Sequence, residues 1–259
     1  MRLGDADAER LKLLGQFYDP NSAAFIESAG VAAGDSVVDL GCGHGAVTDR
    51  IAARVGDTGT VYAVDASADQ LRIARSTLAH RRNVTFIEGA VEDDPLRGVR
   101  VDWVYSRFLL MHVGDVGCAL LAMANMLTDS GALLLEIADV GSLRFLPGSH
   151  ESDLWRPWWY ALARSRGASY DVAERIEELL DQTGFAIHRC DRYQPVAASA
   201  EAKLVHALGF EQHAPAYLNE IGAPADQIDA HYAFLRRAVN DPTVMIALFS
   251  NTQYIARPR

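Results

Sequence analysis

The sequence predicts an α/β protein whose sheet is mostly parallel and doubly wound. Three observations indicate this fold. Short apolar runs rich in β-branched residues alternate with helical patterns over about 110 residues. Three glycines, at 41, 43 and 45, directly follow the first run, and the chain of 259 residues is 49% hydrophobic and 22% charged. Parallel strands joined by right-handed helical crossovers bind ligands beyond their carboxyl ends, so we expect a site there.

The first half of the chain supplies the regular alternation. Residues 36–40, "SVVDL", predict a buried strand, because the run is short, β-branched and followed by glycine. Val47, Ile51 and Val55 then recur at helical spacing. Further strands are predicted at 60–67, 83–89, 101–108 and 131–139, helices at 68–82 and 117–127, and a turn at 128–131.

The regular alternation of strand and helix patterns ends after residue 140. An aromatic-rich stretch with loop residues precedes a clean helix at 171–184, and a sixth strand is predicted at 185–193. Helical patterns at 200–210 and 225–239 predict a cap or a dimer face, and residues 243–258 predict one final strand.

Composition excludes several classes of function. The formal net charge of −10 argues against a nucleic-acid partner, since phosphate binding needs a clustered basic face. No apolar run is long enough for a membrane span. Cys42, Cys118 and Cys190 lie far apart without metal-ligand spacing, so we expect no metal site and a reducing, cytoplasmic location.

The glycine loop joins a strand to a helix and indicates a nucleoside ligand. Glycines bring bare backbone close to a ligand, although a tight turn without a ligand is the alternative. Asp65, twenty residues after Gly45, ends the second strand, where a carboxylate accepts hydrogen bonds from ribose hydroxyls. The spacing is G-x-G-x-G rather than the G-x-G-x-x-G of nicotinamide-dependent oxidoreductases, and Asp39 suits an ammonium group better than a pyrophosphate.

Five motifs in order resemble those of the class I S-adenosylmethionine-dependent methyltransferases. They are "VVDLGCGHG", "VYAVDAS", "FIEGAVEDDPL", "VDWVYSRFLLMHV" and "MLTDSGALLLEIAD". The resemblance covers residues 30–140 by motif and the remainder by layout. It implies a seven-stranded Rossmann-like sheet with an antiparallel last strand and a helical cap. It also implies an N-terminal helical lid at 1–30, a cofactor-binding core at 31–140, and the rest of the same domain at 141–259.

The resemblance implies S-adenosylmethionine as cofactor and assigns residues to it. Asp39 and the loop glycines 41, 43 and 45 would lie at its methionine part, Asp65 at the ribose and Ala66 at the adenine. The family often has an acidic residue that binds the adenine amino group where this chain has Ala90. Recognition of the adenine is then left to backbone amides around Ala90 and Val91, or to Glu92. Ser106 and Arg107 would line the cofactor near the reacting methyl group.

Acceptor-side candidates each have a structural alternative. His112 follows the fourth strand and is a candidate general base, or a histidine that only packs. Aromatic residues are candidates for the substrate pocket, or for the buried face of a helix. These are Tyr18, Trp155, Trp158 and Trp159, with Phe17 as a second lid candidate; further candidate bases are His44, Asp139, His150 and Glu151.

The sequence therefore predicts methyl transfer to a small, partly apolar or aromatic molecule, such as those of secondary metabolism. The alternative is a methyltransferase-like protein that binds the cofactor but catalyses another reaction or serves as a non-catalytic partner. We expect no nucleic-acid or membrane partner and a homodimer as the candidate assembly. The methylated atom, oxygen, nitrogen or carbon, is left open by the sequence.

Overall fold

The computed structural model describes residues 5–259, and their side chains from residue 9 onward, so the first four residues of the predicted lid lie outside the described residues. The strands are β1 Ser36–Leu40, β2 Thr60–Asp65, β3 Val84–Glu88, β4 Val101–Arg107, β5 Leu127–Asp139, β6 Arg144–Leu146, β7 Phe185–Tyr193, β8 Val196–Ala197, β9 Met245–Ala247 and β10 Ser250–Pro258. The α-helices are α1 Asp5–Ala29, α2 Ala46–Val55, α3 Ala68–Thr77, α4 Val116–Asn125, α5 His150–Asp153, α6 Trp155–Ser165, α7 Val172–Gln182, α8 Ala200–Asn219 and α9 Ala225–Asn240.

A seven-stranded sheet has the order β3-β2-β1-β4-β5-β10-β7 and contains one antiparallel strand, as predicted. β1 pairs in parallel with both β2 and β4, so the strand order reverses at β1. A crevice opens beyond the carboxyl ends of the strands at such a reversal. The glycine loop that follows β1 therefore lies where this fold binds ligands.

Contacts group the chain into two compact units. The sheet unit comprises residues 19–138, 172–192 and 251–259, and the cap unit comprises 139–171 and 193–250 with the chain up to Tyr18. In the sheet unit, α1 contributes Phe25 and Ile26 to a buried cluster with Tyr105 of β4 and Leu134 of β5. One sheet face is thus covered by the second half of α1.

The predicted final strand at 243–258 is wrong in one respect, because it is two strands in two sheets. β9 pairs antiparallel with β6 and β8 in a small three-stranded sheet, whereas β10 belongs to the large one. Between them the Leu248 N–H donates to the Pro195 carbonyl at 2.9 Å. The apolar run continues through this break, so hydrophobic pattern alone does not reveal it.

Two other boundaries differ from the sequence prediction. β5 begins at Leu127, and the predicted turn at 128–131 is a register shift, with Leu127 opposite Val101 but Ala132 opposite Trp103. α8 runs through Pro215 to Asn219, beyond the predicted end of the helix. Among the described residues, no helix is both long enough and apolar enough to cross a membrane.

The cap unit has an aromatic core that contains two buried histidines. His206 of α8 and His231 of α9 have ring centroids 6.0 Å apart, and His206 also packs edge-on against Trp155. The Nδ1 atom of His231 donates to the Glu151 carbonyl at 2.6 Å, since a carbonyl only accepts, and its Nε2 is then unprotonated. Burial lowers the pKa of His206 to about 3 and that of His231 to about 4.

We expect these histidines to make the protein sensitive to acid. Their pKa values are lower in the folded than in the unfolded chain, so their stabilising contribution is present above pH 6.5 and is lost as the pH falls toward the folded values. Each should contribute a slope of about 1.4 kcal/mol per pH unit in that window. Urea unfolding of His206→Phe/His231→Phe between pH 6.5 and 4.5 should show a shallower loss than the parent, and equal slopes would contradict this account.

Candidate active site

The loop after β1 is anchored to the neighbouring strand by its own backbone. The N–H groups of Gly41 and Cys42 both donate to the Val64 carbonyl of β2, at 2.8 and 2.9 Å. The Gly45 N–H donates to the Cys42 carbonyl at 2.9 Å, and α2 begins one residue later. The loop is therefore fixed at both ends before any ligand binds.

The three loop glycines have positive φ angles of 75° at Gly41, 54° at Gly43 and 84° at Gly45, but they differ in surroundings. A Cβ on Gly45 would lie 2.7 Å from Leu78 Cδ1, and one on Gly41 would lie 3.2 Å from Leu109 Cδ1. A Cβ on Gly43 would find only the Gln70 Oε1 atom, at 4.0 Å. Gly43 thus has the open face, whereas Gly41 and Gly45 pack against leucines.

Asp65 connects the loop to the turn after β2. Its Oδ2 accepts the Gly43 N–H and its Oδ1 accepts the Ser67 N–H, both at 2.9 Å. A carboxylate has about four lone-pair sites, so each oxygen of Asp65 retains capacity for another donor. The loop thus orients a half-buried carboxylate at the open face of Gly43.

Gln70 is a candidate that sequence reasoning missed. It lies in the first turn of α3, is 8% exposed, and its backbone N–H donates to the Ser67 side chain that caps the helix. Its buried Oε1 has no hydrogen-bond partner within the described part of the chain. The available signal was a polar residue on the helix face that also buries Leu71 and Ala74.

Asp39 is 3% exposed and accepts a hydrogen bond from the Thr48 hydroxyl at 2.6 Å. Burial raises its pKa to about 6, and the negative charges of Asp65 and Glu136 act in the same direction. The Thr48 hydrogen bond and the Arg107 charge oppose that rise. Asp39 is therefore a buried carboxyl group whose pKa lies well above the ordinary value of an aspartate.

Asp39 belongs to a row of ionisable side chains across three strands. It lies opposite Tyr105 of β4, and Arg107, two residues further along, lies opposite Glu136 of β5. Residues two apart in a strand share a face, so all four project on the face covered by α1. The carboxyl ends of β1, β4 and β5 thus carry a buried polar layer.

Arg107 connects this layer to α1. Its Nη1 atom donates to Asp19 Oδ1 at 2.8 Å and to Ser22 Oγ at 3.0 Å. The resemblance places Arg107 near the reacting methyl group, and in the structure this nitrogen is bound to the N-terminal helix. Ser106 is 2% exposed on the opposite sheet face, and its Oγ lacks a partner among the described residues.

Glu136 is a second residue that sequence reasoning missed. It is 0% exposed and accepts hydrogen bonds from Tyr105 Oη at 2.5 Å, Asn251 Nδ2 at 2.5 Å and Gln253 Nε2 at 3.1 Å. A charged residue inside the apolar run "ALLLEIA" was the available signal, because carboxylates are almost never fully buried unless partnered.

A family model described as a methyltransferase domain matches residues 8–189 of the chain. The chain belongs to this methyltransferase family. It is an S-adenosylmethionine-dependent methyltransferase, so the predicted family, fold, enzyme class and cofactor are confirmed.

Relatives of this methyltransferase methylate small molecules. An aklanonic acid methyltransferase from Streptomyces sp. strain C5 is 25% identical over 66% of this chain and 84% of its own length. A ubiquinone/menaquinone biosynthesis C-methyltransferase from Marinomonas sp. strain MWYL1 is 28% identical over 62% of this chain and 70% of its own. The structure of geranyl diphosphate C-methyltransferase from Streptomyces coelicolor A3(2) shares the fold, with a TM-score of 0.58, 14% identity, and coverage of 93% of this chain and 76% of that one.

The adenine-side candidates of the methyltransferase lie beside Asp65. The Gly89 N–H donates to the Asp65 carbonyl at 3.1 Å, which joins the loop after β3 to the end of β2. Ala90 is half-buried before a 3-10 turn at Val91–Asp93, where Val91 is buried and Glu92 exposed, and Ala66 is exposed. The structure thus brings this set to the same sheet edge as Asp65.

His112 of the methyltransferase is exposed and ends a 3-10 turn at Leu110–His112. Its backbone N–H donates to the carbonyl of Leu109, whose side chain is the one nearest to Gly41. The turn therefore belongs to the loop cluster around the glycines. His44 is half-buried within the glycine loop itself.

The aromatic candidates belong to the cap unit of the methyltransferase and differ in exposure. Trp155 and Tyr18 are 0% exposed and Trp158 is 7% exposed, and the Tyr18 hydroxyl donates to the Phe249 carbonyl at 2.7 Å. Trp159 is half-buried and stacks on His213 with ring centroids 5.8 Å apart. Among the other candidates, Phe17 and Asp139 are half-buried, and His150 and Glu151 are exposed.

Alanine substitution should separate the packing role of Gly45 from the open face of Gly43. Both changes place a side chain at positive φ, which costs about 1 kcal/mol. The new methyl group of Gly45→Ala would also overlap Leu78. We therefore expect the free energy of unfolding of this variant to fall by about a further 1 to 2 kcal/mol. Denaturant unfolding measures both losses, and equal losses for the two variants would contradict the geometry.

Proposed function

We propose that this methyltransferase binds S-adenosylmethionine at the glycine loop through the residues that the loop brings together. The observation that carries the proposal is the open face of Gly43, which lies between the Asp65 carboxylate and the buried Gln70 Oε1. Buried acceptors without partners are rare in folded proteins, and a ligand donor would satisfy this one. The residues present therefore fit a nucleoside ligand.

The ribose hydroxyls would donate to Asp65 and to Gln70. Both oxygens of Asp65 already accept backbone N–H groups, which hold the carboxylate in one orientation. A pre-oriented acceptor loses little conformational entropy on binding. Gln70 Oε1 is buried beside the same glycine and supplies a further acceptor.

The remaining parts of the cofactor would meet the other candidates. The methionine ammonium group would lie at the loop that carries Gly41 and Gly43, near the Asp39 carboxyl group. The adenine would lie along Ala66 and the backbone of Ala90 and Val91, with Glu92 at the exposed end. Ser106, whose buried Oγ lacks a partner among the described residues, would contact the cofactor from β4.

S-adenosylmethionine supplies an electrophilic methyl group on a sulfonium, so the protein does not need to activate the donor. The chain's own residues fix the cofactor, align the acceptor and exclude water. His112 is the proposed general base, because it is exposed in the turn whose Leu109 packs against Gly41. At neutral pH an imidazole can remove a proton from a hydroxyl or from an acidic carbon.

The proposed acceptor is a small, partly apolar or aromatic molecule. The names of the relatives support this class, since they refer to aklanonic acid and to ubiquinone and menaquinone biosynthesis. The half-buried Trp159 of the cap unit is the proposed aromatic contact for such a molecule, and the buried Trp155 packs edge-on against Trp159 with ring centroids 5.0 Å apart. Trp158 and Tyr18 are buried in the same unit. A screen that detects S-adenosylhomocysteine release tests this class directly.

Substitutions at the ribose acceptors should lower cofactor affinity in a graded way. We expect Asp65→Ala to weaken S-adenosylhomocysteine binding by about 100-fold, because it removes a charged acceptor and the hydrogen bond that holds the Gly43 N–H. Gln70→Leu, which keeps the volume, should weaken it by about 10-fold. Calorimetry measures both, with NAD as the control ligand, and unchanged affinity in Asp65→Ala would overturn the proposed site.

Loss of His112 should slow turnover rather than cofactor binding. With any acceptor found in the screen, His112→Gln should lower kcat by about 10²- to 10⁴-fold and remove the acidic limb of its pH profile. Affinity for S-adenosylhomocysteine should stay at the parent value. A kcat within a few-fold of the parent would show that His112 is not the base.

A further inference from the structure

The buried layer on the α1 face contains more negative than positive groups. Among the described residues that form it, Asp19, Asp39 and Glu136 are 9%, 3% and 0% exposed. Within the part of the chain that the structure describes, Arg107 is the guanidinium that lies within hydrogen-bond distance of this layer, and its side chain is 19% exposed. If all four were ionised, two negative charges would lack a buried counter-charge, which is costly in a low-dielectric interior.

Arg107 has a position from which it acts on all three carboxyl groups. It donates to Asp19 at 2.8 Å and lies directly opposite Glu136 in the β4–β5 pair. Its charge also favours the ionised form of Asp39, which stands one strand away. Arg50 approaches Asp19 only at 3.9 Å and its side chain is 45% exposed, so it compensates little.

A proton on one of the three carboxyl groups would meet part of this deficit. The described residues supply Glu136 with three hydrogen-bond donors, whereas they supply Asp39 with one side-chain donor, the Thr48 hydroxyl. Asp39 is thus the carboxyl group on which that proton is expected, and burial accordingly raises its pKa to about 6. A cationic ligand group beside Asp39 would take over the role of the proton.

We propose that Arg107 is a positioning residue that sets the charge of Asp39, and that the cationic methionine end of the cofactor displaces a proton from the Asp39 carboxyl group. The proton passes to the buffer, and the ligand's ammonium group replaces it as the counter-charge. The inference rests on the proposed function, because it requires the cofactor at the glycine loop. It assigns Arg107 a role in affinity without contact between its Nη1 atom and the cofactor.

The groups that act on Asp39 come from every element around it. They are Thr48 of α2, Cys42 of the loop, Asp65 of β2, Tyr105 and Arg107 of β4 and Glu136 of β5, with Asp19 of α1 acting through Arg107. Among them Arg107 alone carries a positive charge. Removal of that charge should therefore favour protonated Asp39.

Calorimetry in two buffers of different ionisation enthalpy measures the displaced proton directly. S-adenosylhomocysteine is the probe, since it keeps the ammonium group. For the parent protein we expect release of about half a proton per bound ligand at pH 6 and of almost none at pH 7.5. Asp39→Asn should bind more weakly and release none at pH 6.

Variants of Arg107 test its part in the proposal. Arg107→Met should move the pH midpoint of proton release upward by one unit or more, whereas Arg107→Lys, which keeps the charge, should restore the parent midpoint. Arg50→Met is the matched control and should leave release unchanged, because Arg50 is exposed and approaches Asp19 only at 3.9 Å. Circular dichroism shows whether each variant is folded.

The outcomes distinguish failure of the proposed cofactor site from failure of the proposed proton displacement. If the parent binds no S-adenosylhomocysteine at any pH, the proposed cofactor site is wrong. If it binds without proton release at pH 6, or if Asp39→Asn releases the same amount, the inference is overturned while the site stands. An unchanged midpoint in folded Arg107→Met would overturn the role of Arg107. If that variant does not fold, Arg107→Gln, which keeps a donor for Asp19 and Ser22, takes its place and is judged by the same outcome.

Discussion

The structure depends on burying a set of charges at the carboxyl end of its central strands with one guanidinium among them. Arg107 joins Asp19 of α1 to the strand ends that carry Asp39 and Glu136, and the apolar residues below them pack against the same helix. An ion pair of this kind contributes little net stability, because desolvation offsets its attraction. Its consequence is specific, since it fixes α1 over one sheet face and leaves an excess of negative charge.

That excess lies beside a loop that is rigid before binding. Backbone hydrogen bonds from Gly41 and Cys42 to β2, and from Gly43 to Asp65, hold the loop against its neighbours. Only Gly43 of the three loop glycines keeps an open face, so the loop offers one place for a ligand to approach bare backbone. The acceptors Asp65 and Gln70 adjoin that place, and the buried acid Asp39 lies two residues before Gly41, at the end of β1. This arrangement suits a molecule with hydroxyl groups and a cationic end, as S-adenosylmethionine has.

The sequence predicted the sheet well because period and turn residues report local structure. The strands from β1 to β5 and β7, and the loop with Asp65, follow from patterns within a few residues. Long-range partners were not predictable in this way: nothing local to Arg107 indicates Asp19, 88 positions away, and nothing local to Glu136 indicates Asn251, 115 positions away. The break between β9 and β10 was not predictable for a similar reason. The run is apolar throughout, and its two halves pair with strands of two different sheets.

We infer that the site selects its cofactor by the positive charge at the methionine end. The most direct test compares, by calorimetry at pH 7.5, S-adenosylhomocysteine with its deaminated and its decarboxylated analogues. We expect loss of the ammonium group to weaken binding much more than loss of the carboxylate, because the ammonium group would lie beside the buried acids. Equal losses, or a larger loss for the decarboxylated analogue, would contradict it.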